Sequence, residues 1–426
     1  MSKSIKDRLL RIVKAEYFRN VMVLFTGNSV ARFFPILVTP LLTRLYTPAQ
    51  FTLLGVYTSI LTIAASIATG QYEWAVILPE DDRRAAHLLV LSCGISLCYS
   101  FLLAGVFAVY GENVRSLFAG GDIGNVIHFI PGVVFVVAAV RSLQQWLIRQ
   151  KRFRQLTFST VVQTSGQAAV QIVLGFAGLG LGLIFGNMVG FMGAFLFILL
   201  LLFTSRNKGF AFSAVFLKDT MVAYKHFPLY RTFSVLLNTS TAYLPVIIFA
   251  RYFDQNLVGY YSLCIKVLGL PIILIARAVS DVFSQKAARE FTERGECMST
   301  FRYTLKFLFF TSFPLLLLLF IFAPFLFRVV FGQNWEPAGG VVRILIPMYL
   351  LRFISSPLSR MFIISERLKI DLYWQISLFI LGIGGTIVVA RYAGFNMTLG
   401  YFSAAYSFLY IVSFAVSRGL ARGKPD

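Results

Sequence analysis

The stretch "FPLLLLLFIFAPFLF" (Phe313–Phe327) carries no charged and no polar side chain. A membrane strand would alternate lipid-facing and lumen-facing residues, and this run does not alternate. In lipid each backbone N–H and C=O has to be satisfied within the segment, so a continuous apolar run of this kind reads as a helix. Similar runs, near ~20 residues each, recur from Val21 to Ser417, long enough to cross a hydrocarbon layer of about 30 Å. The expected spans are 21–43, 51–78, 85–110, 123–147, 157–176, 179–203, 225–250, 256–282, 302–323, 341–364, 370–390 and 395–417, with the second tilting or ending early. The fold class expected is all-α: a polytopic membrane protein of about twelve transmembrane helices.

Composition agrees. Of 426 residues 58% are hydrophobic and only 13% charged, against about a quarter charged in a soluble domain. The longest linkers, around 204–224 and 283–301 on one side and 111–122 and 328–340 on the other, leave no room for a soluble catalytic domain. The net charge of +21 would point to nucleic acid in a soluble protein, but topology absorbs it and no nucleic acid is expected. One side holds "MSKSIKDRLLRIVK", "RQKRFR", "RNK", "KAARE", "RLK" and "RGLARGK"; the other holds single residues such as Arg44, Arg115, Arg251, Arg328 and Arg391. The positive-inside rule then places both termini in the cytoplasm. The basic leading segment 1–20 is expected to be an interfacial helix rather than a signal peptide. Cys93, Cys98, Cys264 and Cys297 show no paired spacing, and His87, His128 and His226 no ligand spacing, so neither disulfides nor a metal are expected. No phosphate-binding glycine loop is present, and no cofactor is expected.

Two halves echo each other. Asn28 and Pro35 match Asn238 and Pro245 at an offset of 210, and "HFIP" ending at Pro131 matches "ILIP" ending at Pro347 at an offset of 216. Basic exits, "RQKRF" and "SERLK", follow at similar distances. An even number of helices per half makes this a parallel repeat, with a cavity between bundles that rock for alternating access. The expected domains are a cytoplasmic N-terminal segment 1–20, an N-lobe 21–203, a linker 204–224, a C-lobe 225–417 and a tail 418–426. Interior prolines such as Pro245, Pro314, Pro324, Pro347 and Pro357 are expected to bend their helices. Gly182, Gly186 and Gly190 read as a ridge for close helix packing.

Charges inside spans carry the functional reading. Arg32, Arg141, Arg231, Lys266, Arg277 and Arg352 fall in expected spans, where a charge costs on the order of 3 kcal/mol on insertion scales. On a continuous α-helix Lys266 and Arg277 share a face, roughly 16 Å apart. Two readings stand. In one, Arg277 pairs with Asp281, Glu73 serves another cation, and Arg231, Arg343 and Arg360 snorkel. In the other, cations exceed acids at bilayer depth and line a water-accessible cavity for an anion. The guanidinium fork suits phosphate, and a lipid diphosphate bearing a sugar chain has the needed parts. Asn28, Gln163, Gln167 and Gln171 are candidate sugar contacts; the three glutamines, spaced by four on one helix face, serve equally for helix-to-helix hydrogen bonds. Glu73 and Asp281 are the candidate carriers of a coupling ion.

The stretches "TRLYTPAQFTLLGVYTSI" (43–60), "ATGQYEWAVILPEDD" (68–82), "FGQNWEPAGGVVRILIP" (331–347) and "RFISSPLSRMFIISERLK" (352–369) resemble the polysaccharide-transporter branch of the multidrug/oligosaccharidyl-lipid/polysaccharide (MOP) exporter superfamily, the bacterial flippases of O-antigen and exopolysaccharide repeat units. The resemblance implies a MATE-like pair of six-helix lobes. It also implies movement of an undecaprenyl-diphosphate-linked oligosaccharide across the bacterial inner membrane, among membrane lipids, with a glycan polymerase and chain-length proteins as candidate partners. Family members often carry a basic residue where this chain has Gln71, and no binding role is given to Gln71 here. A multidrug extruder of the same superfamily would want buried acids for cationic drugs, the opposite balance. A membrane glycan polymerase or ligase would want a large external loop. The chain is therefore expected to be a transporter and not an enzyme.

Overall fold

The computed structural model describes residues 34–115, 124–204 and 213–423, and among these residues there is no strand. The helices are α1 (Thr39–Leu45), α2 (Pro48–Ile67), α3 (Asp82–Arg115), α4 (Ile130–Arg149), α5 (Phe153–Phe176), α6 (Gly182–Thr204), α7 (Ala214–Ala223) and α8 (Thr232–Tyr252). They continue with α9 (Gln255–Pro271), α10 (Arg277–Arg294), α11 (Met298–Phe331), α12 (Ala338–Leu358), α13 (Met361–Ile364), α14 (Leu368–Ser377), α15 (Gly385–Tyr392) and α16 (Phe395–Ala421). Nine helices among the described residues are long and apolar enough to cross a membrane, so this is a multi-pass membrane protein. The first expected span, 21–43, lies mostly outside the described residues. The spans expected at 157–176 and 256–282 are helical but not among the nine: glutamines and hydroxyl residues dilute α5, and α9 is only 17 residues long.

Two compact units result. One has the bounds Met1–Leu45, Leu61–Gly111 and Gly124–Val235; the other has Tyr46–Ile60, Glu112–Ile123 and Leu236–Asp426. In the first, Tyr72, Ala75, Val76, Leu88, Leu91 and Trp146 form one buried apolar cluster. In the same unit α6 lies tight on α5. A Cβ at Gly190 would fall 2.6 Å from the Gln163 carbonyl oxygen, and one at Gly186 would overlap the Gln171 side chain. Any larger residue would push the helices apart, so the small-residue ridge does what its spacing implies. In the second unit Phe249, Tyr261 and Phe402 pack edge to face, an arrangement aromatic quadrupoles favour.

The two halves repeat in backbone detail. Lys151 and Glu366 are both left-handed, at φ 56° and 57°. Arg152 N–H donates to the Leu147 carbonyl at 2.9 Å, and Arg367 N–H to that of Phe362 at 2.8 Å. Both basic exits therefore end in the same six-to-one closure of a helix C-terminus. The offset between them is 215 residues, inside the pair of offsets read from the sequence.

The prolines expected to bend helices lie inside them. Pro245 stays inside α8, Pro314 and Pro324 inside α11, and Pro347 and Pro357 inside α12. The one non-helical residue recorded inside α3 is Tyr110, at φ −109° and ψ 20°, which is where the third span was expected to end. Each interior proline frees the carbonyl four residues before it, and two of these find side-chain donors. The Tyr406 hydroxyl donates to Thr241 O at 3.0 Å beside Pro245. Arg343 Nε donates to Phe320 O at 2.8 Å beside Pro324, and its Nη2 to Ile321 O at 2.8 Å. Arg343 thus caps the carbonyl that Pro324 frees and the one that follows it.

Candidate functional site

In the first unit the site is built on a helix that stops. The expected span 51–78 is cut at Ile67, because Gly70 and Gln71 are consecutively left-handed (φ 58° and 63°). Glycine adopts that region freely; glutamine must be held there. Two bonds hold Gln71: its N–H donates to Thr69 Oγ1 at 3.2 Å, and its Nε2 donates to Ser66 O at 2.5 Å. A short 3-10 turn, Tyr72–Ile77, follows. Glu73 accordingly falls between the candidate spans Pro48–Ile67 and Asp82–Arg115.

Glu73 is 4% exposed and Gln71 3%. The Thr69 hydroxyl donates to the Glu73 carboxylate. Burial pushes the Glu73 carboxyl above the usual carboxylate range, while the Thr69 bond and the charges of Arg141 and Arg231 pull against it. Arg141, half-buried on α4, donates from Nη1 to Ala65 O at 3.3 Å. It therefore sits at the C-terminus of α2, where the helix dipole favours a cation. Arg231 ends the π-helical turn Phe227–Arg231. Its Nε donates to Gln71 Oε1 at 3.2 Å, and its guanidinium carbon lies 4.6 Å from the centre of the Trp74 ring. Two of the expected cations and one expected acid thus converge, joined by Thr69, Gln71 and Trp74, which the sequence reading passed over. The signal was present: a glycine closing an apolar run, just before the run's single acid.

The second unit holds a separate cationic group. Arg352 is half-buried on α12, its guanidinium carbon 5.8 Å from the Tyr349 ring centre. Tyr261, Tyr406 and Tyr410 lie within electrostatic reach of it. Phenol rings offer π-faces and neutral oxygens to a guanidinium without cancelling its charge. Lys266, half-buried on α9, has no carboxylate partner among the described residues.

Other expectations change. The turn Ile272–Ala276 is π-helical, and its wider closure breaks the 100° count between Lys266 and Arg277. That count no longer puts the two on one face. Arg277 and Asp281 are both exposed and form no ion pair with each other. Arg360 Nε donates to Ser280 Oγ at 3.0 Å. The face bearing Gln163, Gln167 and Gln171 meets the glycine ridge of α6, and Gln171 Nε2 donates to Leu183 O at 2.8 Å. Of the two roles open to that face, the one in view is helix packing, and Gln171 at 3% exposure is sealed by it. Arg32 and Asn28 lie outside the described residues. Among those residues no three His, Cys, Asp or Glu side chains gather as a metal site would require.

Comparison with known proteins adds three findings. A family model described as "Polysaccharide biosynthesis protein" matches residues 41–339. The teichuronic acid biosynthesis protein TuaB of Bacillus subtilis (strain 168) is 22% identical over 370 residues, covering 84% of this chain and 73% of that protein. Among solved structures, an inward-facing multidrug resistance MATE family transporter of the MOP superfamily superimposes with a TM-score of 0.71 at 16% identity, covering 91% of this chain and 94% of its own. The lipid II flippase MurJ in an inward closed conformation does so with 0.68 at 14% identity, covering 92% and 87%.

Proposed function

Because the chain belongs to the polysaccharide biosynthesis protein family and has the MOP exporter fold, we propose that it is a flippase for a lipid-diphosphate-linked oligosaccharide. The substrate class is an undecaprenyl-diphosphate-linked repeat unit, carried from the cytoplasmic to the periplasmic leaflet of a bacterial inner membrane. The path is a cationic cavity that opens to one side at a time, with Arg32, Arg141, Arg231, Lys266, Arg277 and Arg352 as its candidate cations.

One observation carries this reading. Arg141, Arg231 and Arg352 are held by neutral groups (a carbonyl, an amide, aromatic rings), and among the described residues Glu73 is the one buried carboxylate within electrostatic reach of Arg141 and Arg231. Neutral partners orient a guanidinium but leave its charge for a guest, and a diphosphate supplies the missing negative charge in bidentate form. That one structural neighbour is a lipid II flippase and one relative a teichuronic acid biosynthesis protein supports the same class of cargo.

The test is transbilayer movement of a fluorescent polyprenyl-diphosphate sugar in liposomes containing the purified protein. Movement at a rate that rises with protein content is expected. None, with protein shown to be folded, overturns the proposal.

A further inference from the structure

Gln71 was given no role in the sequence, yet its side chain spans two partners that leave only one orientation of its amide. The Ser66 carbonyl accepts, so it must meet Nε2; the Arg231 Nε–H donates, so it must meet Oε1. The bond to Ser66 anchors Gln71 to the C-terminus of α2, and the left-handed backbone at φ 63° turns it back toward that helix. Arg231 is then fixed twice, by its Nε on Gln71 and by its face on Trp74 at 4.6 Å. Neither contact uses Nη1 or Nη2, and among the described residues neither nitrogen has a hydrogen-bond partner. Arg231 is exposed.

We propose that Gln71, with Trp74 behind it, is a positioning residue that presents the two Nη groups of Arg231 as a ready fork for the diphosphate of the cargo. This rests on the flippase reading and names how one cation of that site is aimed. The chemistry explains the residue type. A carboxylate at position 71 would hold Nε as firmly but would cancel the charge needed by the phosphate. An alkyl side chain would leave the charge but let the long arginine swing, and the entropy of fixing it would fall on binding. A neutral acceptor does both tasks. Glu73 sets the background: its carboxylate competes with the guest for the same cations, and the other charged group facing it among the described residues is Arg141 on α4.

The experiment measures binding of farnesyl diphosphate to the purified full chain by calorimetry, in wild type, Gln71→Leu, Gln71→Glu, Arg231→Ala and the Gln71→Leu/Arg231→Ala double variant. Loss of the acceptor should weaken binding about tenfold, and Gln71→Glu should weaken it at least as much. In the double variant the change at position 71 should add less than about twofold to the loss from Arg231→Ala, because it acts only through that arginine. Tryptophan emission gives a second readout that general loosening would not reproduce. Farnesyl diphosphate should change it in wild type, and not in Trp74→Phe or Arg231→Ala. If wild type binds and Gln71→Leu binds equally, or if the two losses simply add, the positioning role is overturned while the flippase reading stands. If folded wild type does not bind farnesyl diphosphate, both fall.

Discussion

At Glu73 burial and charge pull in opposite directions. Desolvation is the larger influence and raises its proton affinity; the Thr69 bond and two guanidinium groups favour the anion. The sign of the consequence follows. A carboxyl whose folded value lies above its unfolded value contributes stability that is complete below the unfolded value and is lost as pH rises through the folded one. Glutamine at this position cannot ionise. The difference in unfolding temperature, Glu73→Gln minus wild type, is therefore expected to grow as pH rises from about 5 to about 8, measured by scanning fluorimetry in detergent. A flat difference would show that Glu73 keeps an ordinary carboxylate value. Residue identity alone did not give this: an acid in an apolar run could equally have been a partner fully neutralised by one arginine.

At the scale of the element, prolines were legible as positions and the glycine ridge also as an outcome. Pro245 lies inside α8, and Tyr406 from α16 supplies the donor that proline lacks. Tyr406→Phe should cost about 1 kcal/mol of stability through the orphaned Thr241 carbonyl. In a Pro245→Ala background the alanine N–H can bond that carbonyl itself, so the same change should cost close to nothing. A double-mutant cycle in thermal unfolding checks this, and equal costs in both backgrounds would refute the pairing. The glycine ridge of α6 was read correctly because small residues four apart have one common use, close approach. The π-helical turns were not legible, since nothing in the composition of "IILIA" (Ile272–Ala276) distinguishes them from α-helix.

For the whole molecule the central quantity is the excess of positive charge at bilayer depth. If that charge serves the cargo, alanine at Lys266 or Arg352 should lower transport more than tenfold with normal expression and folding, and the same holds for Arg32. Arg352→Lys should retain part of the activity, because the charge survives although the planar fork does not. Initial transport rates in the liposome assay check this, and wild-type rates from all three alanine variants would remove the basis for the cationic site. By contrast, alanine at Arg343, which caps the carbonyls of Phe320 and Ile321, should lower thermal stability more than it lowers transport by folded protein. The sequence did not separate these two classes of arginine, because both appear in it as a charge within an apolar run.

What the sequence determined by itself was the membrane class, the near-complete set of spans, the doubled plan with its matched basic exits, and the surplus of cations. Each of these follows from local quantities: run length against bilayer thickness, and the need of every backbone group in lipid for a partner within its own segment. The tertiary structure decided where α2 stops, which way the helix beyond the turn at Ile272–Ala276 faces, and which arginines are spent on carbonyls. It also brought Gln71 into hydrogen-bond contact with Arg231. These depend on what packs alongside, because two left-handed residues or one wider turn redirect every later side chain, and no count along the chain contains the neighbour that holds them in place.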